Sequence, residues 1–163
     1  MSEAATVGGL LAAARAKLGD HVESRLDAEV LLCHVLECSR AWLFAHADET
    51  VSDELGGRFD ALLERRARGE PVAYLVGRRE FWSLPFEVTP DVLIPRPETE
   101  LLVETALKHI PRENPARVAD LGTGSGAVAI ALAVERPLCE IHATDISDAA
   151  LEIARRNADR LAP

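Results

Sequence analysis

The chain has 163 residues, 48% hydrophobic and 28% charged, which suits a soluble core-forming protein and excludes a disordered one; its length allows one ordinary core, or a small domain plus part of a second. A formal charge of −9 lacks the basic stripe that a duplex-binding protein needs to release counterions, and 4% aromatic residues leave little for a single-strand stacking platform. Cys33, Cys38 and Cys139 form no CxxC pair and the histidines show no HExxH or His-x-His spacing, so no metal site is expected, and scattered thiols suit a reducing compartment.

The N-terminus shows no basic region followed by an apolar stretch of signal-peptide length, and no run of about 18 apolar residues occurs, so the expected location is the cytoplasm, away from membranes. Residues 4–18 read as a helix with Val7, Leu10, Leu11, Ala14 and Leu18 on one face. Ser24 followed by Asp27 resembles a helix start, with Leu26, Val30, Leu31 and Val35 as its stripe. A short helical turn is expected at Trp42–Phe44. Ser52 then reads as the N-cap of a helix carrying Leu55, Phe59, Leu62 and Leu63, stopped by Gly69 and Pro71. The only basic cluster, Arg65, Arg66 and Arg68, falls at the end of this helix, where a solvated face and the helix dipole account for it. Residues 1–72 thus form a small antiparallel helical bundle.

Residues 73–96 change character. Phe81, Trp82, Leu84, Phe86, Val88, Val92, Leu93 and Ile94 are interrupted by Pro85, Pro90 and Pro95, a pattern for a β-hairpin or extended connector. Arg96-Pro97-Glu98-Thr99-Glu100 then marks a helix N-terminus, with proline at the first position and carboxylates in the first turn. That helix is expected to bury Leu101, Leu102, and Thr105 or Ala106. From Arg117 the chain alternates: a strand to Leu121, a glycine loop, an apolar helix to about Glu135, a break at Pro137, a strand over Glu140–Asp145, and a helix capped by Ser147. The fold class is α/β: a helical bundle, a hairpin, and the opening βαβα of a Rossmann-like parallel sheet over 97–163. Two parallel strands are too few for a sheet that is buried on both faces, so the domain reads as truncated.

Asp120-Leu121-Gly122-Thr123-Gly124-Ser125-Gly126 is the stretch that carries chemistry. Its glycines permit a tight strand-to-helix turn and close approach of a ligand to the backbone. Near the end of the next strand, Asp145 can accept hydrogen bonds from both ribose hydroxyls of an adenosine-containing ligand. The same residues, with Ala127, also satisfy Gly-x-Gly-x-x-Ala, so the glycines alone leave a dinucleotide and S-adenosylmethionine both open. Asp120 separates them: a carboxylate beside the loop repels a pyrophosphate and complements a sulfonium and an ammonium. A phosphate loop fails for want of a lysine after the glycines, and a serine-hydrolase elbow fails because Thr-Gly-Ser-Gly is not GxSxG.

Four segments together, Glu70-Pro71-Val72-Ala73-Tyr74-Leu75, Gly77-Arg78-Arg79-Glu80-Phe81-Trp82, Ile94-Pro95-Arg96-Pro97-Glu98-Thr99-Glu100 and Asp120 to Gly126, strongly resemble the HemK-type protein glutamine methyltransferases. The resemblance covers nearly the whole chain and is weakest over the first 25 residues. It implies a bacterial enzyme that methylates, from S-adenosylmethionine, the side-chain amide of the glutamine in the Gly-Gly-Gln motif of class 1 peptide-chain release factors, in translation termination. Carried over by position, Gly122, Thr123, Gly124, Ser125 and Gly126 would wrap the methionine part of the cofactor and Asp145 would hold the ribose, with Asp120 facing the ligand from the strand end. Arg96, Pro97, Glu98 and Thr99 would wall the substrate pocket, and the helical residues would dock the release factor.

The family's Asn-Pro-Pro-Tyr motif, which holds the substrate amide, does not occur here; the only Asn-Pro is Asn114-Pro115, in a predicted loop. No catalytic residue is therefore assigned. Two other readings stand beside this one: a methyltransferase of the same fold acting on another target, and a non-catalytic helical binding module attached to an incomplete nucleotide-binding lobe. Affinity for S-adenosylhomocysteine separates the last from the others.

Overall fold

The computed structural model describes residues 5–19 and 22–162, and the chain divides between Val76 and Gly77 into two compact units. The first is all-helical: α1 (Val7–Leu18), α2 (Val22–Leu36), α3 (Arg40–Ala45), α4 (Asp53–Ala67) and α5 (Val72–Val76). Residue 4, where the sequence pattern begins the first helix, lies outside the described residues. Thr6 caps α1 by accepting the Gly9 N–H at 3.1 Å, and the segment before α4 ties back to it through Val7 N–H to Glu49 O and Val51 N–H to Ala5 O. Ser52 caps α4 as the sequence indicates, accepting the Leu55 N–H.

Ser24 does not begin α2. It sits buried inside the helix, and its hydroxyl donates to Leu18 O at 3.0 Å. Pro71 O accepts from Tyr74 and Leu75, so Val72–Val76 continues as a helical turn where extended connector was expected from residue 73. Val7, Leu10, Ala14, Leu31, Leu32, Leu43, Phe59 and Leu63 form the core. Of the arginine cluster, Arg65 pairs with Glu70 and Arg66 with Asp27 at 2.7 Å, so two of its three charges serve the bundle itself. Burial and the neighbouring Cys38 push the Cys33 thiol up to about 11, the behaviour of a packing residue.

The second unit opens with a hairpin, β1 (Arg78–Phe81) against β2 (Leu84–Glu87), antiparallel with Phe81 opposite Leu84. Its two-residue turn puts Trp82 and Ser83 at φ 53° and 57°, the left-handed pair that fits strand twist. Carboxylates hold Trp82 there: its N–H donates to Glu100 Oε1 at 2.8 Å and its indole Nε1 to Glu135 Oε1 at 3.0 Å.

A 3-10 turn, Pro97–Thr99, leads into α6 (Glu100–His109). The buried face of α6 is Val103 with Ala106, Leu107 and Ile110, whereas Leu101 and Leu102, expected inside, are more than half exposed. β3 (Arg117–Leu121) and β4 (Glu140–Thr144) pair in parallel, Asp120 opposite Ala143, and α7 (Ala127–Glu135) crosses between them. α8 (Asp148–Leu161) follows, capped by the Ser147 hydroxyl on Ala150 N–H. Buried Arg136 closes the end of α6, donating to Ile110 O at 3.0 Å and Leu107 O at 2.9 Å, a cation on the negative end of a helix.

Candidate functional site

β3 ends at Leu121 and α7 begins at Ala127, so residues 122–126 must reverse the chain within one turn. Gly122 and Thr123 both donate to Thr144 O, at 2.8 and 2.9 Å, which carries the sheet pairing into the loop. Gly126, at φ 82°, stands as the N-cap of α7 and receives no side-chain cap. The first N–H groups of α7 have no intrahelical partner, and the helix dipole is positive at this end.

Asp120 and Asp145 stand at the ends of the two neighbouring strands, and both turn toward the loop. Asp120 Oδ2 accepts the Thr123 hydroxyl at 2.7 Å. Asp145 Oδ2 accepts the Gly124 N–H at 2.9 Å, and its Oδ1 accepts the Ser147 N–H at 3.0 Å. The N–H groups of Ser147 and then Gly124 hold the Asp145 carboxyl below its ordinary value of 3.8, so it is ionised at neutral pH. The Ile146 N–H contributes in the same direction, and a carboxylate with about four acceptor positions keeps room for a further donor.

A cavity of about 130 Å³ opens over the loop, lined by Asp120, Gly122, Thr123, Gly124 and Ser125 on one side and by Leu93 to Arg96 and Thr99 on the other. Complete small-molecule pockets run to roughly 300 Å³ or more, so these residues form one wall of a site. Of the residues the sequence singles out, Gly126, Asp145, Pro97 and Glu98 are not among those lining the cavity. Gly126 packs beneath the loop, and Asp145, the residue after β4, braces the loop through Gly124. Among the described residues no group of three or more His, Cys, Asp or Glu could hold a metal, and no helix is long and apolar enough to cross a membrane.

Sequence reasoning missed Leu93, Ile94 and Pro95 as lining, and missed Asn157. Asn157 is fully buried on the apolar stripe of α8 with Ala150, Ile153 and Ala154. A polar residue at a core position of a helical stripe was the available signal, because buried polar groups are held by partners.

Comparison with known proteins places this geometry. Residues 9–77 match the PrmC N-terminal domain and residues 97–162 the methyltransferase small domain. Release factor glutamine methyltransferase of Xylella fastidiosa (strain Temecula1 / ATCC 700964) is 55% identical over 91% of this chain and 52% of its own length. The enzyme so named from Coxiella burnetii is 58% identical over 82% of this chain and 48% of its own, and that of Escherichia coli (strain K12) 54% identical over 85% and 50%. The chain spans about half the length of the curated relatives it matches. With a PrmC-type helical domain, a methyltransferase domain behind it and relatives of one name at this level of identity, the chain belongs to the release factor glutamine methyltransferase family.

Proposed function

We propose that this chain supplies the methyl-donor site and the partner-docking unit of an enzyme that transfers a methyl group from S-adenosylmethionine to the glutamine side-chain nitrogen in the Gly-Gly-Gln motif of class 1 release factors. The observation that carries the reading is the charge of the cavity. Its lining holds one acid, Asp120, and one base, Arg96, and ionised Asp145 braces the loop from the adjacent strand. A zwitterionic amino-acid moiety beside a sulfonium complements such a wall. A diphosphate would bring like charges against Asp120 and Asp145.

Once bound, the cofactor supplies a methyl carbon made electrophilic by positively charged sulfur. The residues of this chain hold and orient. Gly122 to Gly126 let the methionine part lie against backbone, and Thr123 fixes the Asp120 carboxylate by donating to it. Asp145 keeps acceptor capacity for a ribose hydroxyl while bracing Gly124. Arg96 and Thr99 wall the side toward the substrate, with Pro97 and Glu98 in the turn that carries them. The helical residues dock the release factor in the cytoplasm; a net charge of −9 counts against a nucleic-acid target.

An amide nitrogen is a poor nucleophile, because its lone pair is delocalised into the carbonyl. Catalysis is then chiefly positioning, with hydrogen bonds to the NH2 group that strengthen as the bond forms. No residue of this chain is assigned to hold that group.

The test is label transfer from S-adenosylmethionine carrying a tritiated methyl group, using the protein expressed from its complete reading frame. A class 1 release factor should be labelled, and its Gly-Gly-Gln to Gly-Gly-Ala variant should not. Equal labelling of the variant would move the activity to another substrate.

A further inference from the structure

We propose that Asn157 is a positioning residue for the cofactor loop: it holds the Ser125 carbonyl in place and couples the loop to the hairpin. Its side-chain amide has two N–H donors and two acceptor lone pairs on the oxygen. All four are used. Nδ2 donates to Ser125 O at 2.9 Å and to Glu87 O at 3.0 Å, while Oδ1 accepts from Glu87 N–H at 2.7 Å and from Arg160 at 2.8 Å. The side chain is completely buried, so water cannot stand in for any of these partners.

Its consequence follows from where Ser125 lies. The Ser125 carbonyl belongs to the peptide that joins the cavity lining to Gly126, the residue that starts α7 in the left-handed conformation. Rotating that peptide would move the Ser125 carbonyl and the Gly126 N–H, which donates to Thr123 O, and with them the whole turn. One end of the amide therefore fixes the loop and the other pairs with both backbone groups of Glu87 in β2. The bidentate pairing with Glu87 also fixes which way the amide faces, because a flipped amide would set N–H against N–H.

Neighbouring contacts on α8 strengthen the helix–hairpin seam but do not reach the loop. Arg156 pairs with Glu87 at 2.8 Å, and Arg160 donates to Pro85 O at 2.7 Å. That difference separates a positioning role from a merely structural one.

The proposal rests on the reading of the loop as a cofactor site, and its test keeps the two apart. Asn157→Asp preserves size and the acceptor face but turns an oxygen toward the Ser125 and Glu87 carbonyls. Arg156→Ala loosens the same seam without touching the loop. On the full chain, hydrogen exchange at the amides of residues 123–127 and calorimetry with S-adenosylhomocysteine are measured for wild type and both variants.

Exchange over 123–127 should be at least about tenfold faster in Asn157→Asp and unchanged in Arg156→Ala, and affinity should fall at least about tenfold in the first alone, the scale of an unmet buried hydrogen bond. Should Asn157→Asp fail to fold, Asn157→Ser, which is smaller and keeps a donor, takes its place with the same expectation. Loop exchange in the Asn157 variant equal to wild type, or a matching change in Arg156→Ala, overturns the proposal. Loop exchange that follows the prediction while wild type itself shows no affinity for the ligand leaves the positioning role standing and sinks the cofactor reading.

Discussion

Gly126 and Gly124 sit two residues apart in the same loop, and the structure predicts opposite consequences for replacing them with alanine. Both have positive φ, 82° and 56°, so a side chain costs about 1–2 kcal/mol of backbone strain at either position. They differ in what a Cβ would meet. At Gly126 it would lie 2.9 Å from Ile130 Cδ1 and 3.4 Å from Ala154 Cα, where α7 packs on α8, and Ile130 is itself buried. Relieving that overlap in a packed core costs a further ~1–3 kcal/mol. At Gly124 nothing lies within 4 Å, and the new methyl group would stand at the cavity wall.

Gly126→Ala should therefore lose about 2–5 kcal/mol and Gly124→Ala only about 1–2 kcal/mol. For a unit of this size the gap corresponds to roughly 5–20 °C in midpoint. Thermal unfolding in a Trp42→Phe background checks this, since Trp82 then reports the second unit alone. Gly124→Ala, the milder change for stability, should be the more damaging to cofactor affinity relative to its stability loss. Equal destabilisation by the two substitutions would refute the packing argument.

Asp145→Ala removes the brace on Gly124 and, on the proposed reading, the ribose acceptor, so affinity for S-adenosylhomocysteine should fall by about 5- to 100-fold by calorimetry; unchanged affinity would contradict the assignment. The same carboxylate sets a pH dependence. Its folded-state value lies below 3.8, so its contribution to stability is complete above the unfolded value and is lost as pH falls through the lower, folded one. The Gly124 and Ser147 amide resonances should therefore titrate together at a pH below the ordinary aspartate value of 3.8; a shared transition at or above that value would mean that the bonds do not form. Arg136→Met strips the cation from the Leu107 and Ile110 carbonyls and should cost about 1.5–3 kcal/mol in urea unfolding. A loss below about 0.5 kcal/mol would show that water replaces the guanidinium there.

The parallel strand pair was the most legible part of the fold. Glycines at 122, 124 and 126, Pro137 and Ser147 are each a local instruction, and they bracket β3, α7, β4 and the start of α8. Where several registers satisfy the same pattern, sequence chose badly. Leu101, Leu102 and Val103 are consecutive, so any of three helix faces could have been the buried one, and packing against α7 selected Val103. Ser24 with Asp27 imitates a capping box, yet the helix is already under way at Val22. Residues 73–76 fall in the stretch read as hairpin or connector, but Pro71 O accepts from Tyr74 and Leu75 and starts a helical turn there.

In the site, the acids and glycines were readable because their chemistry is local. The Asn157 network joins residues up to 70 positions apart, and no spacing rule reports it.

The central claim is that two strand-end carboxylates adapt this glycine loop to a cationic methyl donor. The direct measurement is a titration of the isotope-labelled chain, following the amide resonances of residues 122–126 with S-adenosylmethionine and, separately, with NAD at equal concentrations. Shifts with the methyl donor and none with the dinucleotide are predicted. Shifts with NAD, or a loop that ignores both ligands, would contradict the account.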